Sequence, residues 1–173
     1  MLEAFPIPIQ FRMPNDEWVQ SDPSELGLTN AAFAAVRRGF QDGYAPVLTV
    51  SGGWRTDAAS FQQIADESLE VLEQDATDVE LVKRTEVGRA HAPAIAQSLA
   101  GTATYEGRRL DLRRFQAITG IVDVNDPIKR FVIIYSLTCL YRQSEQMKDE
   151  FQEFMSTVQV LAPSGDGDAD REP

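Results

Sequence analysis

The segment from Phe131 to Leu140 constrains the fold of this chain more than any other stretch. Both of its alternating sets of side chains are mainly apolar: Phe131, Ile133, Tyr135, Leu137 and Cys139 in one set, and Val132, Ile134, Ser136, Thr138 and Leu140 in the other. Because successive side chains of a β-strand point to opposite faces, this strand requires burial on both faces. The segment therefore predicts an interior strand of a sheet that is covered on both sides.

Two amphipathic helices are available to cover such a sheet. One is predicted over residues 144–158, where the apolar residues recur at helical spacing: Met147, Phe151, Phe154, Met155 and Val158. The other is predicted to begin after Thr56 or Asp57, either of which can cap its first turn. Its apolar stripe consists of Phe61, Ile64, Ala65, Leu69 and Leu72.

Further strands are predicted on both sides of the first helix. After it come three strand patterns, residues 79–87, 94–105 and 109–122, and short turns between them predict an antiparallel meander that ends in the interior strand. Before it, Phe5–Met13 alternates cleanly, and because Pro6 and Pro8 lack an N–H donor we expect a strand that pairs on one side only.

The remaining part of the N-terminal half contains one short strand and one ambiguous segment. Glu17–Gln20 predicts a short strand with Trp18 as its apolar anchor. Residues 31–38 fit either a helix or a strand, and we favour the strand because Asp42-Gly43 is a hairpin signal ahead of Pro46–Val50. That last strand is predicted to end at Ser51-Gly52-Gly53.

These elements predict one α+β domain over residues 1–161. It is an antiparallel β-sheet of about six to seven strands flanked by two main helices, an α/β/α sandwich. Residues 162–173 are acidic and rich in Gly, Asp and Pro, so we expect a disordered acidic tail.

Composition narrows the classes of function. The chain of 173 residues has 27 acidic and 16 basic side chains and a formal charge of −11, which argues against nucleic acid and anionic membrane surfaces as partners. No apolar run approaches the roughly 20 residues that a membrane-spanning helix needs. Because the first residues carry no basic leader, we expect a cytoplasmic protein, although a trimmed leader stays open.

The residues that usually carry chemistry are sparse. His91 is the single histidine, in a predicted loop, and Cys139 the single cysteine, in the interior strand, so they do not predict a Cys–His nucleophile. Zinc needs four Cys or His ligands, and the start of a calcium loop at Asp166–Asp170 is not completed. We therefore expect neither a metal nor another cofactor, and no enzyme.

Arginines are the candidate binding residues. Gly52-Gly53 lies between a predicted strand and a predicted helix, and Arg55 beside it could help to hold an anion at the helix N-terminus; a plain tight turn is the alternative. In the cluster Arg108, Arg109, Arg113 and Arg114, strand alternation places Arg109 and Arg113 on one face. We predict Arg55, Arg109 and Arg113 as contacts for an anion or an acidic partner, whereas cross-strand pairing with neighbouring carboxylates is the structural alternative for the cluster.

The order of elements resembles the PsbP/Mog-type fold, in particular its bacterial small domains of unknown function and the LpqN-like actinobacterial proteins. The resemblance is carried by Pro14–Trp18, by 42–50, by the helix after Thr56, and by Tyr135–Cys139 with the helix that follows. It implies binding or assembly factors without a common catalytic site, including a Ran-binding protein, a photosystem subunit and chaperones of secreted bacterial effectors. This chain lacks the leader and N-terminal lipid-bearing cysteine of the lipoprotein members.

Three hypotheses about function follow. The favoured one is a non-catalytic protein-binding module, an adaptor or chaperone for a secreted or membrane-associated client whose identity stays open. The alternatives are a small-molecule carrier, with a pocket between sheet and helix lined by Phe, Met and Tyr, and an unrecognised hydrolase. An exposed edge at the proline-rich strand also leaves a homodimer open.

Overall fold

The computed structural model describes residues 5–6, 8–41, 43–89 and 92–161 of the chain. Within them the strands and helices follow in the order β1 Ile9–Gln10, β2 Trp18–Ser21, β3 Phe33–Arg37, β4 Val47–Arg55, α1 Phe61–Glu73, β5 Thr77–Glu86, β6 Ala94–Tyr105, β7 Arg108–Val122, β8 Arg130–Leu140, α2 Ser144–Thr157 and β9 Gln159–Val160. Short 3-10 helices occur at Pro23–Leu26 and Tyr141–Gln143.

Strand β8 is the centre of the structure. The main sheet has seven strands in the order β2-β3-β4-β8-β7-β6-β5, and every neighbouring pair is antiparallel. All residues of β8 are buried or partly buried. The prediction of an interior strand is confirmed, as is the meander of β5, β6, β7 and β8.

The two helices cover opposite faces of this sheet. On one face the odd-numbered side chains of β8, such as Ile133 and Tyr135, pack with Met147 and Phe154 of α2. On the other face Val132 packs with Ile64 and Ala65 of α1. The predicted α/β/α sandwich is therefore confirmed.

Each helix covers only part of its face. Helix α1 lies over β5 and β6, whereas α2 lies over β8 and β7. The two helices thus lie over different strands of the sheet. This displacement leaves part of the face on the α1 side without a helix, over β3, β4 and the end of β8 near Thr138.

Helix α1 begins later than predicted. Its N-cap is Ser60, whose Oγ accepts from the N–H of Gln63 at 3.1 Å while the Gln63 side chain accepts from the N–H of Ser60 at 2.7 Å. This reciprocal capping box satisfies two donors of the first turn, and no such pair exists at Thr56 or Asp57. The carboxylate of Asp57 is instead bound by Arg55.

Strand β4 continues through the glycines at which it was predicted to end. Gly52 pairs with Ile133 and Gly53 with Val132, and the ladder extends to Arg55. The predicted turn at Ser51-Gly52-Gly53 is wrong because the neighbouring strand β8 is long enough to pair with β4 over its whole length. A glycine is suited to position 52, since a Cβ there would stand 2.9 Å from the ring of Phe5.

The N-terminal segment also departs from the prediction. The strand expected over Phe5–Met13 is reduced to β1, which pairs with β9 in a separate two-stranded sheet. The prolines at 6 and 8 cannot donate to a ladder, and the segment instead buries Phe5 and Ile9 in the core. Pairing on one side only, as expected, is what β1 shows.

The ambiguous segment 31–38 contains a strand, β3, which pairs with β4 from Phe33↔Val50 to Val36↔Val47. The connection between these strands is longer than the two-residue turn that Asp42-Gly43 suggested, and Asp42 itself lies outside the described residues. His91 and the expected tail 162–173 also lie outside them.

Candidate binding surface at the arginine end of the sheet

The three arginines predicted from the sequence are not brought together. Arg55 lies at the end of β4, opposite Arg130, whereas Arg109 and Arg113 lie toward the other end of the sheet on β7. Arg55 donates to Asp57 at 2.6 Å and to Glu67 at 2.5 Å. Hydrogen bonds to Asp57 and then to Glu67 raise the pKa of Arg55, and its charge is balanced locally.

The β6–β7 hairpin brings arginines to one end of the sheet. Its two-residue turn consists of Glu106 and Gly107, whose φ angles of 50° and 75° are those of a type I′ turn. Arg108 and Arg109 follow directly, and Arg142 lies where β8 leaves the sheet. We call this region the arginine end: Arg108, Arg109, Arg113, Arg114 and Arg142.

Arg113 is held in place by its neighbours. Its Nη1 donates to Asp111 Oδ1 at 2.7 Å and to the carbonyl oxygen of Leu112 at 2.9 Å. Its guanidinium also lies 4.6 Å from the ring centroid of Tyr141, a cation–π distance. Arg113 is thus paired with a carboxylate of its own strand, not with one across strands.

Arg109 lines a small cavity that we call the notch. The register between β7 and β8 ends at Leu112↔Leu140, so Arg108–Asp111 extend β7 beyond its partner. The notch has a volume of about 250 Å³ and is lined by Arg108, Arg109, Leu110, Asp111, Leu140, Tyr141 and Arg142. Arg108 and Arg109 have no carboxylate of a described residue within 4.0 Å.

A larger cavity, which we call the groove, adjoins the notch through Leu110. It has a volume of about 380 Å³ and lies between the end of α1 and the segment before β4. Its lining is mainly aliphatic and aromatic: Gly43, Tyr44, Ala45, Val47, Asp75, Ala103, Thr104, Tyr105, Leu110 and Leu112. The groove is of the size that small ligands or single side chains of a partner occupy.

Arg114 is a partly buried charge beside the groove. Its Nε donates to Thr138 Oγ1 at 2.9 Å, and no carboxylate of a described residue lies within ion-pair distance. Burial lowers the pKa of Arg114, whereas Tyr44, once its phenol is ionised, and the carboxylate of Asp75 oppose this shift; both residues lie in the groove lining. Strand alternation places Arg114 on the opposite face from Arg109, and Arg114 was not among the predicted contacts.

The uncovered part of the sheet lies on the same face as the groove. We call it the open half-face: Val36, Val47, Thr49, Ser51 and Thr138, all partly buried and all uncharged. These side chains share a face because Val36 pairs with Val47, Val47 with Thr138, and Thr49 with Ser136. Val47 belongs to both, so the open half-face and the groove form one continuous surface.

The described residues contain little that could perform catalysis. Burial raises the pKa of Cys139 to about 12, so its thiol is protonated at neutral pH and is a poor nucleophile. Among the described residues no group of three or more His, Cys, Asp and Glu side chains could hold a metal ion. Neither described helix has the length and apolar character needed to cross a lipid bilayer.

One polar network was missed by the sequence analysis. Glu150 of α2 is buried and accepts from Arg37 at 3.1 Å, from Trp18 Nε1 at 2.9 Å and from Asn15 at 2.9 Å. It lies on the apolar face of α2, three residues after Met147, and this charge within a hydrophobic stripe was the available signal. The network joins α2 to β2 and β3 and is structural.

Comparison with known proteins defines the class of fold. No protein-family model matches the chain, and no curated protein does. Among solved structures it is similar to LpqN of Mycobacterium tuberculosis, with a TM-score of 0.60, 13% identity, and 92% of this chain and 88% of that chain covered. It is also similar to cyanobacterial PsbP (CyanoP) from Synechocystis sp. PCC 6803, with a TM-score of 0.57, 10% identity and coverage of 90% and 92%.

A third similar structure is PA94, a protein of unknown function from Pseudomonas aeruginosa, with a TM-score of 0.53, 17% identity and coverage of 91% and 99%. These three likenesses extend over almost the whole of each chain. The protein therefore has the PsbP-like and LpqN-like α+β fold, as the resemblance implied.

Proposed function

We propose that this chain is a non-catalytic protein-binding module, an adaptor or chaperone for a secreted or membrane-associated client. The observation that carries the proposal is the open half-face, a part of the sheet that neither helix covers. Contiguous uncharged surface of this kind is characteristic of interaction sites. Three adjacent strands at about 4.8 Å spacing give a floor about 10 Å wide, which suits an extended segment of a protein.

The chemistry of this surface supports the same proposal. Thr49, Ser51 and Thr138 offer hydroxyl groups beside the aliphatic side chains of Val36 and Val47. Such a mixture can bury apolar groups of a client and still satisfy its polar atoms. LpqN is described as involved in cell envelope biogenesis. The likeness to it supports a membrane-associated client.

The test compares capture of a client by the wild-type chain and by Val36→Lys, which places a charge on the open half-face. Val71→Lys is the matched control, because Val71 is 53% exposed on α1 and lies away from this surface. We expect one client to be captured stoichiometrically from the source cell by the wild-type chain and the control. With the purified client, calorimetry should show at least tenfold weaker binding to Val36→Lys.

Two results would count against the proposal. One is the absence of any stoichiometric client in repeated captures with the wild-type chain. The other is a client that binds Val36→Lys and Val71→Lys equally well while both variants melt at the wild-type temperature.

A small-molecule carrier is the second candidate, and the groove is the observation in its favour. The Phe and Met residues predicted to line a pocket are instead packed in the core, as Met147, Phe151 and Phe154 are buried against β8. The groove at the end of α1 is lined by tyrosines and aliphatic residues. A carrier would therefore use a different site from the one expected between sheet and helix.

A further inference from the structure

We propose that the groove binds a carboxylate attached to an apolar body, and that Arg114 is the residue that recognises the carboxylate. This inference requires only the groove and stands whether or not a client docks on the open half-face. Two sources share this chemistry: a free organic acid, and an aspartate or glutamate next to an apolar residue in a peptide.

Arg114 is partly buried and has no carboxylate of a described residue within ion-pair distance. Charged side chains are buried at a considerable cost unless an opposite charge and hydrogen bonds compensate for it. The guanidinium of Arg114 has only the hydroxyl of Thr138 as a hydrogen-bond partner among the described residues. Its two Nη groups are therefore available for a ligand. A carboxylate is the anion that a guanidinium binds with two parallel hydrogen bonds.

Strand geometry places Arg114 next to the groove. Leu112 precedes Arg114 by two residues on the same face of β7, and Val47 pairs with Thr138, the residue opposite Arg114. Leu112 and Val47 both line the groove, so a carboxylate that enters beside them approaches the guanidinium. Tyr44 is neutral at physiological pH, because burial raises the pKa of its phenol, and its hydroxyl can donate a further hydrogen bond.

The remaining lining of the groove is mainly apolar. Val47, Ala103, Leu110 and Leu112 provide an apolar floor, which favours a ligand with an aliphatic or aromatic body. Asp75 is the one acidic residue among the described lining residues, so a ligand with several negative charges is disfavoured. Arg108 and Arg109 of the adjoining notch attract anions toward this end of a chain that is otherwise strongly acidic.

The experiment is a titration of the full chain followed by ¹⁵N chemical shifts. The probes are phenylacetate, its neutral analogue phenylacetamide, inorganic phosphate, and the dipeptides acetyl-Phe-Glu-amide and acetyl-Phe-Gln-amide. We expect saturable binding of phenylacetate or of the Glu dipeptide with a Kd on the order of millimolar, as befits so small a ligand. The shifted amides should include those of Tyr44 and Leu112, and each neutral analogue should bind at least tenfold more weakly.

Three variants decide the role of the residues. Arg114→Gln should abolish saturable binding, Asp75→Asn should strengthen it about two- to fivefold by removing a like charge, and Arg89→Gln, distant on the chain and exposed, should leave it unchanged. Arg114→Gln should also melt at or above the wild-type temperature, because a partly buried charge without a counterion has been removed. Should Arg114→Gln fail to fold, Asp75→Asn still decides the sign of the electrostatic effect.

The outcomes separate the two sources and the alternatives. Binding of phenylacetate but not of the Glu dipeptide supports a free acid as ligand, and binding of the dipeptide supports a peptide side chain. No saturable binding of either, equal binding of the neutral analogues, or weaker binding by Asp75→Asn would overturn the proposal. Phosphate bound as tightly as phenylacetate would show that the apolar floor does not contribute, and would overturn it as well.

Discussion

At the scale of single residues, Glu150 links distant parts of the chain. Burial by itself raises the pKa of Glu150, but hydrogen bonds from Arg37, Trp18, Asn15 and Gln146 outweigh burial, and the pKa lies below its usual value. A carboxylate with a lowered pKa stabilises the fold above the pKa it has in the unfolded chain. That stabilisation is lost as the pH falls through the folded-state pKa.

We therefore expect Glu150→Gln to reduce the free energy of unfolding by about 3–5 kcal/mol at pH 7, because it leaves the buried charge of Arg37 without a counterion. From pH 7 down to pH 3 the variant should lose less stability than the wild-type chain. Urea unfolding across this range measures both effects, with Glu153→Gln on the exposed side of α2 as control. A pH profile parallel to that of the wild-type chain would contradict this account.

At the scale of elements, β4 shows how packing extends a strand through two glycines. Gly52 and Gly53 differ only in what surrounds them. A Cβ at Gly52 would stand 2.9 Å from Phe5 and 3.1 Å from Phe131, whose rings meet edge to face, whereas nothing lies within 4 Å of a Cβ at Gly53. One glycine is required by packing and the other is not.

This difference predicts opposite effects of the same substitution. Gly52→Ala should lower the free energy of unfolding by about 1–3 kcal/mol, because the aromatic rings must shift to accept the methyl group. Gly53→Ala should be neutral or stabilise the chain by up to about 1 kcal/mol, because alanine loses less conformational entropy on folding. Guanidinium denaturation of the pair measures the contrast, and equal effects at both positions would contradict it.

At the scale of the whole molecule, the main core joins the two ends of the described chain. Its buried members run from Phe5 and Ile9 through β4 and β8 to Phe154 of α2. Strands β1 and β9 pair beside it, and Leu161 donates to the carbonyl oxygen of Pro8 at 2.9 Å. The first and the last described segments therefore pack into the same hydrophobic core.

A substitution near the N-terminus and a deletion at the C-terminus are expected to affect stability differently. Ile9 is fully buried, so Ile9→Ala should cost about 2–5 kcal/mol of unfolding free energy. Deletion of residues 162–173 should leave the stability unchanged, since this polar, acidic segment has little apolar surface to bury. Thermal denaturation of both variants tests the domain limit at residue 161. A large loss of stability on deletion of residues 162–173 would place the end of the domain beyond residue 161.

The sequence alone was enough to predict which side chains of the helices and of the interior strand are buried. The alternation over Phe131–Leu140 and the stripes of Phe61–Leu72 and Met147–Phe154 yielded the interior strand, both helices and the α/β/α arrangement. Such patterns are local: each residue's side of a strand or helix follows from its spacing to its neighbours. The end of a strand depends on the strands that pair with it, which lie far away along the chain. For this reason β1 was predicted too long and β4 too short.

The candidate surface depended on contacts between residues far apart along the chain. The sequence pointed to arginines at 55, 109 and 113, and two of these proved to be paired with carboxylates close by. Arg114 acquired its significance from Tyr44, Asp75 and Thr138, which come from three other segments. The displacement of α1 relative to α2, which leaves the open half-face uncovered, likewise follows from how side chains fill the space between layers. Spacing along a chain determines which face a residue occupies, whereas packing between layers determines what that face meets.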